Sequence, residues 1–180
     1  ITTDVDIVYW YPLLDSGVNS FMILDGYVVV MGTRELSGGA FTYYPRRIRW
    51  TVPGTYSDFS GFGSGTQDIP GFGDFLAGEV VEHTGVIFEK GGIGALNWTG
   101  ETDPTAGPIW TYRQIARGLT TISNPVVHEG AIWFVGNTGL LYRTNGIEAV
   151  PTGGEFDLSK FTEFPPTTPV QMVFVPATRQ

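Results

Sequence analysis

Two histidines are the first side chains in this sequence that could take part in acid–base or metal chemistry. His83 and His128 are the only histidines of the chain, and imidazole titrates near neutral pH and binds metals. Each starts the same His-x-Gly triplet, which ends at Gly85 in one case and at Gly130 in the other. Recurrence at one place in a repeated turn favours a structural role, so we expect each imidazole to bond to its turn backbone.

Carboxylates are concentrated between residues 58 and 82, where convergent oxygens would allow glycoside hydrolysis or calcium binding. The candidates are Asp58, Asp68, Asp74, Glu79 and Glu82. They lack the Asp-x-Asp-x-Asp-Gly spacing of a calcium loop, which favours simple solvation at the surface. The sequence also lacks Gly-x-Ser-x-Gly, a Walker phosphate loop and His-Glu-x-x-His. We therefore expect no enzyme activity and no catalytic, cofactor-binding or metal-binding residue.

Arginines form the one basic concentration of the chain, at Arg46, Arg47 and Arg49. On a strand, Arg47 and Arg49 share one face, while Arg46 lies on the other face with Ile48. Three roles are open for these cations. They could pair with acidic residues of a neighbouring subunit, contact DNA phosphates, or protect an edge strand from aggregation by solvating it.

The overall charge limits the partners of this protein. The chain has 180 residues, a net charge of −8 and no cysteine, so an ordinary basic nucleic-acid surface is not expected. An acidic wall would instead repel a polyanion and let it pass without tight binding. No apolar stretch is long enough for a transmembrane helix, and no membrane partner is expected. Because the chain starts at Ile1, we expect a processed chain or a fragment.

A sequence repeat predicts the elements that must position these side chains. Residues 81–99 align with residues 126–144 without a gap, and eight of the nineteen aligned positions are identical. Each copy contains short apolar runs between Gly-rich turns, a pattern typical of short buried strands. A period of about 45 residues in a strand-rich chain is typical of propeller blades. We predict one all-β domain over residues 1–180, with antiparallel blades of a β-propeller, about three to four in number, in a minimal or a larger ring.

Further strands and turns are predicted around the repeat. Asp25-Gly26 is a strong hairpin dipeptide and should join a strand over 21–24 to one over 27–31. Residues 41–50 should form the outer part of the first blade, and residues 7–11 and 170–175 should be strands as well. Glycines of both Gly-rich turns, Gly94 and Gly139 among them, are expected to need positive φ.

Residues 53–75 differ in composition from the rest of the chain. Gly, Ser, Pro and Asp alternate with aromatic residues, and so long a connection in a compact β domain is usually functional. We interpret this segment as an inserted loop that packs on its own domain or on a neighbouring subunit. Its candidate contact residues are Tyr56, Phe59, Phe62 and Phe72.

The order of several motifs suggests a family. The chain carries R-W at 49–50, Y-S-D-F at 56–59, G-V-I-F at 85–88, I-W-T-Y-R-Q-I at 109–115 and W-F at 133–134. Over about residues 45–150 this order resembles the β-propeller tail proteins of tailed bacteriophages, the tubular or nozzle components of short tails. The resemblance implies a structural virion protein without catalytic residues. It also implies location in the phage tail, a homo-oligomeric ring, contacts with other tail proteins and transient, non-specific contact with DNA during ejection.

Two other classes of function remain open at this point. A carbohydrate-binding propeller would use exposed tryptophans as stacking platforms, with Trp10, Trp98, Trp110 and Trp133 as the candidates. A glycoside hydrolase domain would instead use the carboxylates of residues 58–82.

Overall fold

The computed structural model describes residues 18–37, 39–103, 109–155 and 172. Within these residues the chain forms twelve β-strands and no helix, which confirms the predicted all-β class. No described helix could therefore span a membrane. The strands are β1 Val18–Leu24, β2 Tyr27–Ser37, β3 Ala40–Trp50, β4 Gly65–Asp68, β5 Phe75–Val81, β6 Thr84–Glu89, β7 Gly92–Trp98, β8 Trp110–Arg117, β9 Val126–His128, β10 Ala131–Val135, β11 Leu140–Thr144 and β12 Ala149–Glu155. The strands predicted over 7–11 and 170–175 lie outside the described residues, apart from Met172.

The twelve strands form three four-stranded antiparallel sheets, and each sheet is a simple meander. The sheets have the orders β1-β2-β3-β4, β5-β6-β7-β8 and β12-β11-β10-β9. The predicted hairpin across Asp25-Gly26 is confirmed, since Leu24 pairs with Tyr27 and Ile23 with Val28. Asp25 and Gly26 have φ values of 49° and 83°, which match a tight turn with left-handed central residues.

The first turn of the sequence repeat is displaced between the two copies. In the first copy Val81 pairs with Thr84, so the chain reverses at Glu82 and His83, and Gly85 already belongs to β6. In the second copy His128 pairs with Ala131, so the reversal includes Gly130 itself. The prediction of a turn glycine is therefore right for Gly130 and wrong for Gly85. A side chain at Gly85 would instead collide with the Met22 side chain of the first sheet.

Large apolar side chains fill the space between the first and second sheets. Met22, Leu24, Trp50, Ile87 and Trp110 belong to one buried cluster there. The rings of Trp50 and Trp110 meet edge to face, with centroids 6.2 Å apart, a favoured aromatic arrangement. The first strands of the two sheets, β1 and β5, lie side by side.

A second apolar cluster joins the second and third sheets. Val86 and Phe88 of β6 pack with Ile132 and Phe134 of β10, and the two phenylalanine rings lie 5.0 Å apart, edge to face. Since Ile87 points to the first sheet, β6 is buried on both faces, as predicted from its apolar run. Each sheet therefore packs on the next one in sequence order. β5 lies beside β1 and also contacts both β9 and β10 of the third sheet, though less extensively.

Residues 53–75 are not a continuous loop, which corrects the prediction. Residues 65–68 form β4, whose Asp68 and Gln67 pair with Arg47 and Ile48 of β3. Residues 41–50 are consequently part of the third strand of the first sheet rather than its outer strand. β4 could not be predicted from the sequence because this strand has only four residues, G-T-Q-D, and no alternation of apolar and polar residues.

Candidate functional site

The predicted arginine pair lies on one face of β3, beside carboxylates of the same chain. Arg47 forms two parallel hydrogen bonds with Asp68, of 2.7 Å from Nε to Oδ1 and 3.0 Å from Nη2 to Oδ2. Its Nη1 also donates to Glu35 at 3.2 Å, and its guanidinium lies 3.5 Å from the centre of the Tyr44 ring. The register explains the main pair, because Arg47 stands directly opposite Asp68 across the β3–β4 ladder. The hydrogen bond from Arg47 lowers the pKa of Asp68.

The other two arginines are engaged in different ways. Arg49 Nη1 lies 3.9 Å from Glu35 Oε1, and burial lowers the pKa of this guanidinium. Arg46 points to the opposite side of the strand and donates to the carbonyl of Gly71 at 3.3 Å. β3 is bordered by β4 at these residues and is not an edge strand there. The prediction that the arginines protect an edge strand from aggregation is therefore wrong. Arg47 and Arg49 instead belong to a four-membered ion-pair network with Glu35 and Asp68.

The four aromatic residues predicted as contacts fall into two groups. Tyr56 and Phe62 are 76% and 77% exposed, whereas Phe59 is 7% exposed and packs on Val28 and Val30. Phe72 is half-buried, and its ring lies so close to Gly92 that a side chain there would collide with it. Phe59 and Phe72 thus pack on their own domain, and Tyr56 and Phe62 are the two predicted contact residues that are accessible.

The histidines and carboxylates of the sequence analysis do not converge. His83 bonds through Nδ1 to Asp25 Oδ1 at 2.6 Å, and this bond raises the pKa of His83. The expected bond to the turn backbone is therefore replaced by one that joins the first and second sheets. Asp58 accepts from the backbone N–H groups of Ser60 and Gly61, and Asp74 pairs with Lys90.

A buried carboxylate that the sequence analysis missed lies at the end of β6. The residue is Glu89, and its side chain is fully enclosed. One oxygen accepts a hydrogen bond from the hydroxyl of Tyr112, and the other accepts from the backbone N–H of Phe72. Burial raises the pKa of Glu89 and also that of Tyr112. The only sequence signal was an acidic residue directly after the apolar run Val86-Ile87-Phe88.

A shallow polar groove lies on the third sheet. It has a volume of about 230 Å³ and is lined by Glu129, Gly130, Ala131, Arg143, Asn145, Glu148 and Val150. The guanidinium of Arg143 and the carboxylates of Glu129 and Glu148 would offer both hydrogen-bond donors and acceptors to a polar, hydroxyl-rich ligand. Among the described residues, no group of three His, Cys, Asp or Glu side chains could hold a metal ion.

The tryptophans proposed as sugar platforms differ in accessibility. Trp110 is buried between the sheets, and Trp98 is 38% exposed. Trp133 is half-buried and donates from Nε1 to the carbonyl of His128 at 3.2 Å. Trp10 lies outside the described residues. Trp98 is therefore the most accessible of the three described platforms.

No protein family matches this chain, and no curated protein has a similar sequence.

Proposed function

We propose that this protein is a structural component of a bacteriophage tail, in which its three sheets are consecutive blades of a propeller-like ring around a DNA conduit. The observation that carries the proposal is the stacking of three four-stranded meanders in sequence order. Their first strands β1, β5 and β9 are neighbours, as expected of the innermost strands of adjacent blades. Propellers have about four to eight blades, so further sheets, from this chain or from other copies, complete the ring.

The charges of the molecule support passage of DNA rather than tight binding. The net charge is −8, and the carboxylates of Glu35 and Asp68 neutralise Arg47 and Arg49. A surface that is negative overall and has these two cations neutralised leaves little counterion release to drive binding to phosphates. Tyr56 and Phe62 are the accessible side chains that would contact neighbouring tail proteins.

A DNA titration at low and at physiological salt tests this proposal. We expect weak binding without sequence preference, which disappears at physiological salt. The double variant Glu35→Gln, Asp68→Asn frees Arg47 and Arg49 and should bind DNA more tightly than the wild type. The control Asp74→Asn, Glu82→Gln, which also removes two carboxylates but frees only Lys90, should change binding less. Tight, sequence-specific binding by the wild type, or absence of the protein from the tail in immunogold-labelled particles, would contradict the proposal.

A second candidate function, carbohydrate binding, is favoured by the polar groove on the third sheet. Arg143 and Glu148 line it together with Glu129, and such groups bind sugar hydroxyls. A glycan screen tests this function, with Arg143→Ala as the variant that should lose binding. Turnover of a glycan that carboxylate-to-amide changes abolish would identify a hydrolase instead.

A further inference from the structure

The β2–β3 hairpin is longer than the sheet that carries it. Within the described residues, pairing of β1 with β2 ends at Thr33, and pairing of β4 with β3 ends at Arg47. The two strands nevertheless continue to pair with each other as far as Ser37 and Ala40. The described residues 34–37 and 40–44 therefore form a two-stranded arm that extends beyond the first sheet.

One face of this arm exposes large apolar side chains. Leu36 and Phe41 stand opposite each other and are 56% and 54% exposed, and Tyr43 is 45% exposed. Arg34 lies 5.2 Å from the centre of the Phe41 ring. The Tyr43 hydroxyl accepts a hydrogen bond of 2.6 Å from Asn19 of β1, which holds the base of the arm against the sheet.

The tip of the arm lacks the features by which proteins protect exposed strands. On its outer edge, residues 40–44 read A-F-T-Y-Y without a charge or proline, and no described strand pairs with them. Pro45 and Arg46, which limit pairing between molecules, lie only at the base of the arm, next to the residues that pair with β4. The outer strands of the first two sheets differ, since β4 is short and ends at Asp68, and β8 carries Arg113 and Arg117. Short length and charge discourage pairing between molecules, whereas an uncharged edge rich in aromatic residues promotes it.

We propose that residues 40–44 pair antiparallel with the same residues of a second copy of this chain, so that two arms form one four-stranded sheet. A two-fold axis at Thr42 places Thr42 opposite Thr42 of the second copy and Phe41 opposite Tyr43 of the second copy. Both kinds of pair stabilise antiparallel sheets. The segment is thus complementary to itself, which is the requirement of a two-fold interface. The inference does not depend on the phage-tail function.

The charges of the arm are compatible with this register. In the order β2–β3–β3–β2, the two copies of Arg34 stand on the outer strands, at opposite corners of the shared face. The same holds for Glu35 on the other face, where it stands opposite Thr42 of its own chain. Three strand spacings of about 4.8 Å each separate the outer strands, so like charges do not meet and no charge is buried.

Substitution of Thr42 by lysine tests the pairing at its centre. Within one chain the side chain introduced by Thr42→Lys is exposed and faces Glu35, so the fold is retained. In the dimer, the two introduced positive charges would stand directly opposite each other across the two-fold axis. We expect wild-type dimers in sedimentation equilibrium and an increase of about fivefold or more in the dissociation constant of the variant. An equimolar mixture with Thr42→Glu should restore dimers. The control Thr111→Lys, on the exposed edge strand β8, should leave the dissociation constant unchanged.

Disulfide formation gives a second readout that does not depend on affinity. The chain has no cysteine, so Thr42→Cys should form one disulfide-linked dimer on mild oxidation, and Thr111→Cys should not. The proposal is overturned by a wild-type protein whose mass is that of a monomer, by equal association of Thr42→Lys and wild type, or by absence of the cross-link.

Discussion

Glu89 connects three separate parts of the chain at the level of a single residue. Its carboxylate accepts one hydrogen bond from Tyr112 of β8 and another from the backbone of Phe72, just before β5. Its own carbonyl accepts a bond of 2.7 Å from Thr120 Oγ1, in the segment that leads to the third sheet. An enclosed carboxylate with several donors fixes the surrounding backbone because each unpaired donor would be costly.

We expect Glu89 to make stability depend on pH. Burial raises the pKa of the folded group above its ordinary value of 4.5, so folding favours the protonated acid. This contribution is complete below the unfolded pKa and is lost as pH rises through the folded pKa. Glu89→Gln keeps the shape of the side chain but does not titrate, and it can still form hydrogen bonds with Tyr112 and Phe72. Chemical unfolding should therefore show the stability of the variant rising relative to wild type as the pH is raised above the unfolded pKa of 4.5. A constant difference above this pKa would contradict the assigned shift.

Sequence reasoning found the charged groups of the molecule but not their partners. The alternation along β3 was enough to place Arg47 and Arg49 on one face. Their carboxylates come from β2 and from the short strand β4, which had no recognisable pattern. Glu89 could not be predicted as a site because the groups that donate hydrogen bonds to it lie 17 and 23 residues away in sequence. Contacts of this kind depend on tertiary packing, which a single sequence does not reveal.

At the level of elements, two glycines of the sequence repeat are needed for different physical reasons. Gly139 has a φ of 82°, in the left-handed region, and takes part in a turn. Gly94 lies within β7 without positive φ, and an added Cβ would stand 2.2 Å from a carbon of the Tyr112 ring. The expectation of positive φ is thus confirmed for Gly139 and wrong for Gly94, where a ring from the neighbouring strand needs the space.

Two valine substitutions distinguish lack of space at Gly94 from backbone strain at Gly139. Gly94→Val should destabilise the protein by about 1–3 kcal/mol through overpacking, and Gly139→Val by about 1 kcal/mol or more through backbone strain. In thermal unfolding, the additional change Tyr112→Ala should remove most of the penalty at Gly94 and none of that at Gly139. Additive effects of Gly94→Val and Tyr112→Ala would show that the ring does not exclude the side chain.

The sequence predicted hairpins well where a turn had a strong local signal. Asp25-Gly26 is such a case, because both residues adopt left-handed φ readily. The turn before β6 was displaced by two residues, since the reversal uses Glu82, with a φ of 53°, rather than a glycine. Gly85 and Gly130 are therefore identical in the aligned repeat but differ in environment, since Gly85 lies in a strand packed against Met22 and Gly130 lies in a turn.

At the scale of the whole molecule, the three meanders share one direction of stacking. Polar contacts also join consecutive sheets: Asp25–His83 joins the first two, and Arg113 of the second sheet donates to the Gly146 and Ile147 carbonyls of the third. Packing of each sheet on the next is what the proposed ring requires. Local sequence patterns could indicate four-stranded sheets of this kind, but the number of sheets in the proposed ring depends on packing that they do not show.

Single-particle electron microscopy of the purified protein tests most directly the proposed arrangement of the sheets around a central axis. We expect rings of four-stranded blades in which β1, β5 and β9 line the central channel and consecutive sheets follow one another around it. Sheets stacked in an open sandwich, or a particle whose central axis is lined by the outer strands β4 and β8, would contradict the account.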